Sequence, residues 1–313
     1  MASALVGRLA AMVPVLLTVA ATVFLLLRIG IGDPAASMAG DAASTAQLAA
    51  IRTQFGLDQP VAVQFATWLG HAARGDLGTS FYFRVPVADL IGERFGPTVS
   101  LAALTLAVAV ALGVPLGVAA ANRRGRWLDR TLMGFTVVGF SAPSFVVAYA
   151  CVYIFAIRLG WLPVQGYAPL SAGLGTWLAH LVLPVLSLAP VYVAVIARMT
   201  RASVAETLGE DYVRTARAKG AAPVRVLLRH ALPNAAAPVL TVIGVAIGLL
   251  MGGVVVIENV FNLPGLGRLV VDSVVAGDYP VVQGAILVSA VICLGANLAI
   301  DIVYGLIDPR IRT

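Results

Sequence analysis

Six stretches of this chain carry no formal charge over about the length of a membrane-spanning helix: Ala10–Leu27, Pro97–Ala121, Thr131–Ile157, Leu181–Ala197, Ala235–Ile257 and Pro280–Ile300. A hydrocarbon core about 30 Å thick takes about 20 apolar residues in a helix. Few patterns constrain a fold so tightly, because a segment in lipid must satisfy its own backbone polar groups. The fourth stretch is short and gains length by starting near His180 and ending at Arg198. Composition agrees: 60% of the 313 residues are apolar and 12% charged, against about 45–50% and about 25% in soluble domains. That balance excludes a soluble domain, a disordered chain, a disulfide scaffold and collagen. The alternating segments of about ten residues that mark a membrane β-barrel are absent. The expected fold class is therefore all-α: a polytopic membrane protein with six transmembrane helices, read as one domain over residues 1–313.

The first stretch also requires a test as a signal peptide, since Arg8 precedes it and small residues (Ala35, Ala36, Ser37, Ala39) follow. It exceeds the usual h-region of about 7–15 residues, and Arg28 flanks its far end, which favours a retained helix. Orientation follows from the cations. With the N-terminus in the cytoplasm, the inner segments hold Arg8, Arg123, Arg124, Arg126, Arg130, Arg198, Arg201, Arg214, Arg217, Lys219, Arg225, Arg229, Arg310 and Arg312. The two short outer loops hold only Arg158 and Arg268. Short-loop asymmetry of this kind sets topology, so both termini are expected inside. The formal charge of +6 thus reports membrane orientation, with no nucleic acid as partner.

Site chemistry is sparse. Cys151 and Cys293 lie within apolar runs and read as small hydrophobes. His71, His180 and His230 are scattered, and no metal or catalytic constellation is expected. No apolar stretch contains the carboxylate or Arg that marks a proton relay; Glu258 and Asp301 stand just beyond stretch ends. That weakens an ion-coupled secondary carrier without excluding it, because broken helices bind Na+ without charge. A phosphate-binding P-loop needs Lys before Ser or Thr, whereas the only lysine, Lys219, precedes Gly220 and Ala221. If ATP drives this protein, another chain binds it.

Two hydrophilic segments remain. The outer one, 29–96, holds two short amphipathic patterns; in the second, Val61, Phe65 and Leu69 share one helical face. It is either a cap over the bundle or a docking surface. The inner one, 199–234, contains Asp211-Tyr-Val-Arg-Thr-Ala-Arg-Ala-Lys219-Gly220. This reads as a short helix with acids at its start and a glycine able to end it at positive φ. Pro233 is then tolerated in the first turn of the fifth span.

Gly220, nine residues and His230-Ala-Leu232-Pro233 match the EAA loop of ABC-importer permeases. The EAA triplet itself falls on Arg214, Thr215 and Ala216, keeping only the last Ala, and His230 replaces an Ile. The string Asp211–Gly220 resembles the variant in permeases of the dipeptide/oligopeptide/nickel class. Gly75-Asp76-Leu77-Gly78-Thr-Ser80 and Ser141-Ala-Pro143-Ser144-Phe145 resemble motifs of the same class. So do Glu258-Asn-Val-Phe261-Asn-Leu-Pro264-Gly265-Leu-Gly267-Arg268, Asp278-Tyr279-Pro280 and Asp308-Pro-Arg310.

That resemblance implies a non-catalytic permease subunit in a bacterial or archaeal cell membrane. Its implied partners are a homologous second permease, two ATPase subunits that hold ATP and Mg, and an external solute-binding protein. Tyr212, Arg214, Thr215, Ala216, Arg217, Lys219, Gly220, Leu232 and Pro233 would then form the ATPase-coupling segment. Gly75, Asp76, Leu77, Gly78, Glu258, Phe261, Pro264, Gly265, Gly267, Asp278 and Tyr279 would form an external docking region or gate. Ser141, Pro143 and Ser144 would interrupt the third span as a pathway-lining kink. Gly113/Gly117 and Gly244/Gly248/Gly252, spaced for close helix approach, serve either packing within the chain or contact with a partner permease. Short peptides are the expected substrate, with nickel chelates or glutathione as alternatives.

Overall fold

A computed structural model describes residues 2–30, 35, 44–54 and 56–307. The Asp308–Arg310 ending, Arg312, Ala36, Ser37 and Ala39 lie outside the described residues. The chain divides into two compact units. One holds Val99–Leu263 and the chain from Gly295 onward; the other holds Ala2–Thr98 and Pro264–Leu294.

The secondary structure is helical throughout, apart from one isolated bridge between Thr79 and Pro86. In chain order the helices are α1 (Ala2–Gly30), α2 (Thr45–Gln54), α3 (Val61–Ala72), α4 (Val87–Asn122), α5 (Trp127–Ser141) and α6 (Ser144–Cys151). They continue with α7 (Leu174–Thr207), α8 (Asp211–Ala218), α9 (Leu232–Val260), α10 (Leu266–Val275) and α11 (Tyr279–Ile307). Among the described residues, five helices are long and apolar enough to cross a membrane, and α5 with the helix from Ser144 makes a sixth if that bent pair is one span.

Within the first unit, α7 and α9 carry the core, with Leu181, Leu183, Leu188, Ile196, Leu250 and Ile257 almost fully buried. Gly113 and Gly117 of α4 explain how closely two helices meet there. A Cβ on Gly117 would stand 2.5 Å from the Ala197 carbonyl oxygen, and one on Gly113 would stand 2.9 Å from Ile196. This pair therefore packs within the chain, and only glycine fits. In α9, a Cβ on Gly244 would meet Asn297 at 3.0 Å, whereas Gly248 and Gly252 face open space.

Two spans differ from the sequence reading, and a third breaks where Ser141, Pro143 and Ser144 were expected to interrupt it. The stretch Leu181–Ala197 proves to be the middle of a 34-residue helix. Its extension past Arg198 is held by Arg201, which forms a two-pronged ion pair with Asp129 at the start of α5. The expected 199–234 loop shrinks accordingly. At the fifth span, helix begins upstream of Ala235: a short turn Pro223–Arg225, a π-turn Val226–Ala231 and α9 run as one 38-residue span. Pro233 is the second residue of α9, in its first turn as expected, and the π-turn continues the span upstream of it. A proline ring there clashes with the carbonyl four residues earlier, and the wider π-turn just before it relieves that clash. The third stretch is broken by 94° between α5 and α6, because Pro143 keeps Ala142 extended (ψ 123°).

In the second unit, Val87, Ile91, Leu266, Leu269, Val281 and Ala285 form one cluster. A second gathers around Phe24, where α3 packs Phe65 (centroids 5.3 Å apart) and Trp68 (5.8 Å) against it. Phe65 and Leu69 of the expected face are half-buried, with Gln64 and Trp68 beside them, while Val61 is exposed. The Arg28 guanidinium lies 4.2 Å over the Phe24 ring and donates to Gln64 Oε1. Gln64 in turn donates to the carbonyls of Leu57 and Gln59.

Candidate functional site

α8 is a two-turn helix that buries little besides Val213. Tyr212, Arg214, Thr215, Arg217 and Lys219 are exposed, and Ala216 is half-buried. Its C-terminus is closed by a Schellman motif: Ala221 N donates to Ala216 O (3.1 Å) and Gly220 N to Arg217 O (2.9 Å). That closure needs a left-handed residue, and Gly220 has φ +80°. Arg214 pairs with Asp211 at 3.0 Å, but both are exposed, so the pair adds little. Tyr212 Oη donates to the His230 carbonyl (3.3 Å), which also accepts Asn234 Nδ2 (2.7 Å). A tyrosine on α8 is thereby tied to the π-turn that leads into α9. Leu232 is half-buried there and Pro233 exposed. The result is a rigid, mostly cationic protrusion joined to two long helices.

The residues expected at the outer end fall into two classes. Gly75, Asp76 and Gly78 are exposed and Leu77 half-buried. Gly75 and Gly78 hold φ +85° and +80°. Asp76 accepts the Gly78 amide (2.9 Å) and pairs with His71 Nδ1 (3.0 Å). Those bonds, the amide first, hold its carboxyl below the usual carboxylate range. Glu258, Phe261, Gly265, Gly267, Asp278 and Tyr279 are buried, and Pro264 is half-buried. Asp278 is fully enclosed, accepting the Ser80 hydroxyl and the amides of Phe81 (3.1 Å) and Tyr82 (3.2 Å). Leu263 N closes the end of α9 on the Glu258 carbonyl (2.9 Å), and Leu266 N starts α10 on Thr98 Oγ1 (2.7 Å). The sequence reading missed Ser80 as Asp278's partner and Thr98 as the α10 cap. Only the occurrence of Ser80 and Asp278 in motifs of one class hinted at the first link.

At the third-span break, Ser141 is exposed and its hydroxyl donates to Val137 O (2.8 Å). Pro143 O accepts the Val146 and Val147 amides that begin α6. Among the described residues no group of His, Cys, Asp and Glu is arranged to hold a metal ion. Cys151 and Cys293 are not joined in a disulfide, and both are half-buried.

The family described as the binding-protein-dependent transport system inner membrane component matches residues 113–313, and its N-terminal companion matches 1–102. A probable peptide ABC transporter permease protein of Sinorhizobium fredii is 47% identical over 305 residues, 97% of each chain. The glutathione transport system permease protein GsiC of Salmonella choleraesuis is 44% identical over 305 residues, again 97% of each. Among solved structures, the inward-facing MetNI methionine ABC transporter superposes with a TM-score of 0.55. It covers 70% of this chain and 96% of that one at 20% identity, a likeness of fold. The chain therefore belongs to the family of inner membrane components of binding-protein-dependent transport systems, a multi-pass protein of the inner membrane.

Proposed function

We propose that this chain is one of two homologous permease subunits of an ABC importer for short peptides, with both termini in the cytoplasm and with α8 as its coupling helix. The observation that carries the reading is α8 itself: a short, capped helix exposing Tyr212, Arg214, Arg217 and Lys219 while hydrogen-bonded to the start of a 38-residue span. Such a helix transmits force only if it is stiff and tethered, and the Gly220 cap and the Tyr212–His230 bond supply both. Separate ATPase chains would seat α8, and their closure would drive the permease between access states. Exposed cations steer and register such a contact more than they supply its affinity.

The peptide assignment rests on the relatives' names, one for peptides and one for glutathione, itself a short peptide. At the outer side, the exposed turn Gly75–Gly78 would meet the binding protein, while buried Gly267, Asp278 and Tyr279 of the same unit would hold that surface in shape. The open glycines Gly248 and Gly252, beside exposed Val245 and Leu249, would receive the second permease.

Uptake of labelled di- and tripeptides, glutathione and nickel chelates by cells with and without this chain tests the assignment. Loss of peptide uptake, restored by the intact gene, is the expected result. Unchanged peptide uptake with loss of one other solute would reassign the substrate. Unchanged uptake of all of them, with ATPases absent from the purified complex, would remove the importer reading itself.

A further inference from the structure

A cavity of about 520 Å³ in the first unit is walled by Asn122, Arg123, Arg124 and Arg126 on one side and by Gly209 and Arg217 on the other. No carboxylate lines it. The first wall is a fixed turn: Gly125 is left-handed (φ +79°), its amide donates to Asp129 Oδ2 (2.9 Å), and Arg126 N closes on Arg123 O (3.0 Å). Asp129, the nearest acid in that wall, is buried and held by Arg201 and the Gly125 amide; its charge also acts on Arg124, so that Arg123, Arg124 and Arg126 face a carboxylate already paired with Arg201. Glu206 and Glu210 flank the opposite wall in sequence but do not line the cavity. The C-termini of α4 and α7 bring about half a negative charge each, against four guanidiniums, so the cavity is strongly positive.

The surface next to it fixes what fits. Trp127 is 71% exposed immediately after Arg126, and Phe135 and Val138 continue the same face of α5 at 78% and 68%. An exposed Trp beside arginines, at the foot of an exposed apolar stripe, is the pattern of a headgroup-level belt. Basic pockets at such helix ends bind phosphate headgroups.

We infer that this arginine cavity is a binding site for the phosphate of an anionic phospholipid, whose acyl chains lie along the Trp127–Phe135–Val138 stripe of α5. The four arginines supply charge and forked donors for phosphate oxygens, and the exposed stripe offers acyl chains an apolar surface that a soluble anion does not use. Because Arg217 belongs to α8, an occupied site also ties α8 to the 123–126 turn through one ligand.

The test is native mass spectrometry of the full-length chain titrated with phosphatidylglycerol or phosphatidylcholine. The first phosphatidylglycerol is expected to bind about tenfold more tightly than the first phosphatidylcholine. Arg124→Gln/Arg126→Gln should erase that preference, and Arg124→Lys/Arg126→Lys should retain most of it. These side chains are exposed and outside the Asp129–Arg201 pair, and single Arg124→Gln gives a milder reading of the same quantity. Equal binding of the two lipids, or a preference unchanged by the Gln pair, overturns the site. Displacement of phosphatidylglycerol by equimolar glycerol phosphate would make it a soluble-anion site and overturn the lipid assignment. A preference that appears only for acidic peptides of an ATPase would likewise overturn it in favour of a protein partner.

Discussion

Asp278 accepts the hydroxyl of Ser80 from 198 residues away in sequence, and the same carboxylate caps the amides of Phe81 and Tyr82. The bond joins the turn before α4 to the start of α11 inside the second unit. Both residues are buried, so the link holds a surface and is not itself one. Asp278→Ala leaves three donors without their acceptor and should destabilise this unit by about 3 kcal/mol, with Ser80→Ala near 1 kcal/mol. Thermal unfolding of the purified protein checks both values. Because the two side chains share one interaction, the double variant should cost less than the sum. Strict additivity would mean that the bond does not stabilise the fold.

The left-handed Gly220 sets the second expectation. Gly220→Val puts a β-branched residue at φ +80°, a genuine outlier, whereas Gly220→Asn is tolerated there. Since a Cβ at Gly220 meets nothing within 4 Å, the strain is in the backbone alone. Val should loosen the end of α8 and reduce ATPase co-purification or uptake, with Asn close to the wild type and insertion unchanged in both. Full uptake by the Val variant would separate the cap from coupling.

Much of this was legible in the sequence, and what escaped it has a common physical cause. Uncharged length located the five long apolar helices and the bent α5–α6 pair, since lipid tolerates little else. The cap at Gly220 was readable because local backbone geometry demands it. Helix ends were misjudged where a charge meets a distant partner: Arg198 looked like a boundary, yet Arg201 three residues on is neutralised by Asp129. The place of Gln64 on the half-buried side of α3 escaped for the same reason, because its partner is Arg28 of α1. Burial of Glu258 and Asp278 was likewise invisible, since a motif reports that residues matter and not whether they touch a partner or each other.

The turn Gly75–Gly78 carries a pH expectation. The folded carboxyl of Asp76 titrates below its ordinary value, so its contribution to the turn is complete above about pH 4. It is lost as pH falls through the lowered value. Hydrogen exchange at the Gly78 amide, corrected for intrinsic rates, should show constant protection from pH 7 to 5 and a decline only below about 4. Asp76→Ala should remove that protection at every pH. A decline already complete above pH 5 would show that the Asp76 carboxylate does not hold the turn.

The glycines of α4 and α9 yield the last expectation. Gly117 already touches α7, and any side chain there collides with the Ala197 carbonyl, a backbone atom that cannot swing aside. Gly117→Leu should therefore destabilise the chain by itself, by several kcal/mol or to the point of lost expression. Gly252 meets nothing within 4 Å and lies on the exposed side of α9 near Leu249 and Val256. Gly252→Leu should leave the isolated chain as stable as the wild type, and its glycine-to-leucine change even adds helix propensity. If a second permease packs on that face, the same variant should weaken the permease pair, read as loss of the partner on co-purification at unchanged expression. Gly252→Ala, which adds one methyl group, should fall between. A Gly252→Leu chain that retains its partner fully would leave lipid as the occupant of this face and move the permease interface to another helix.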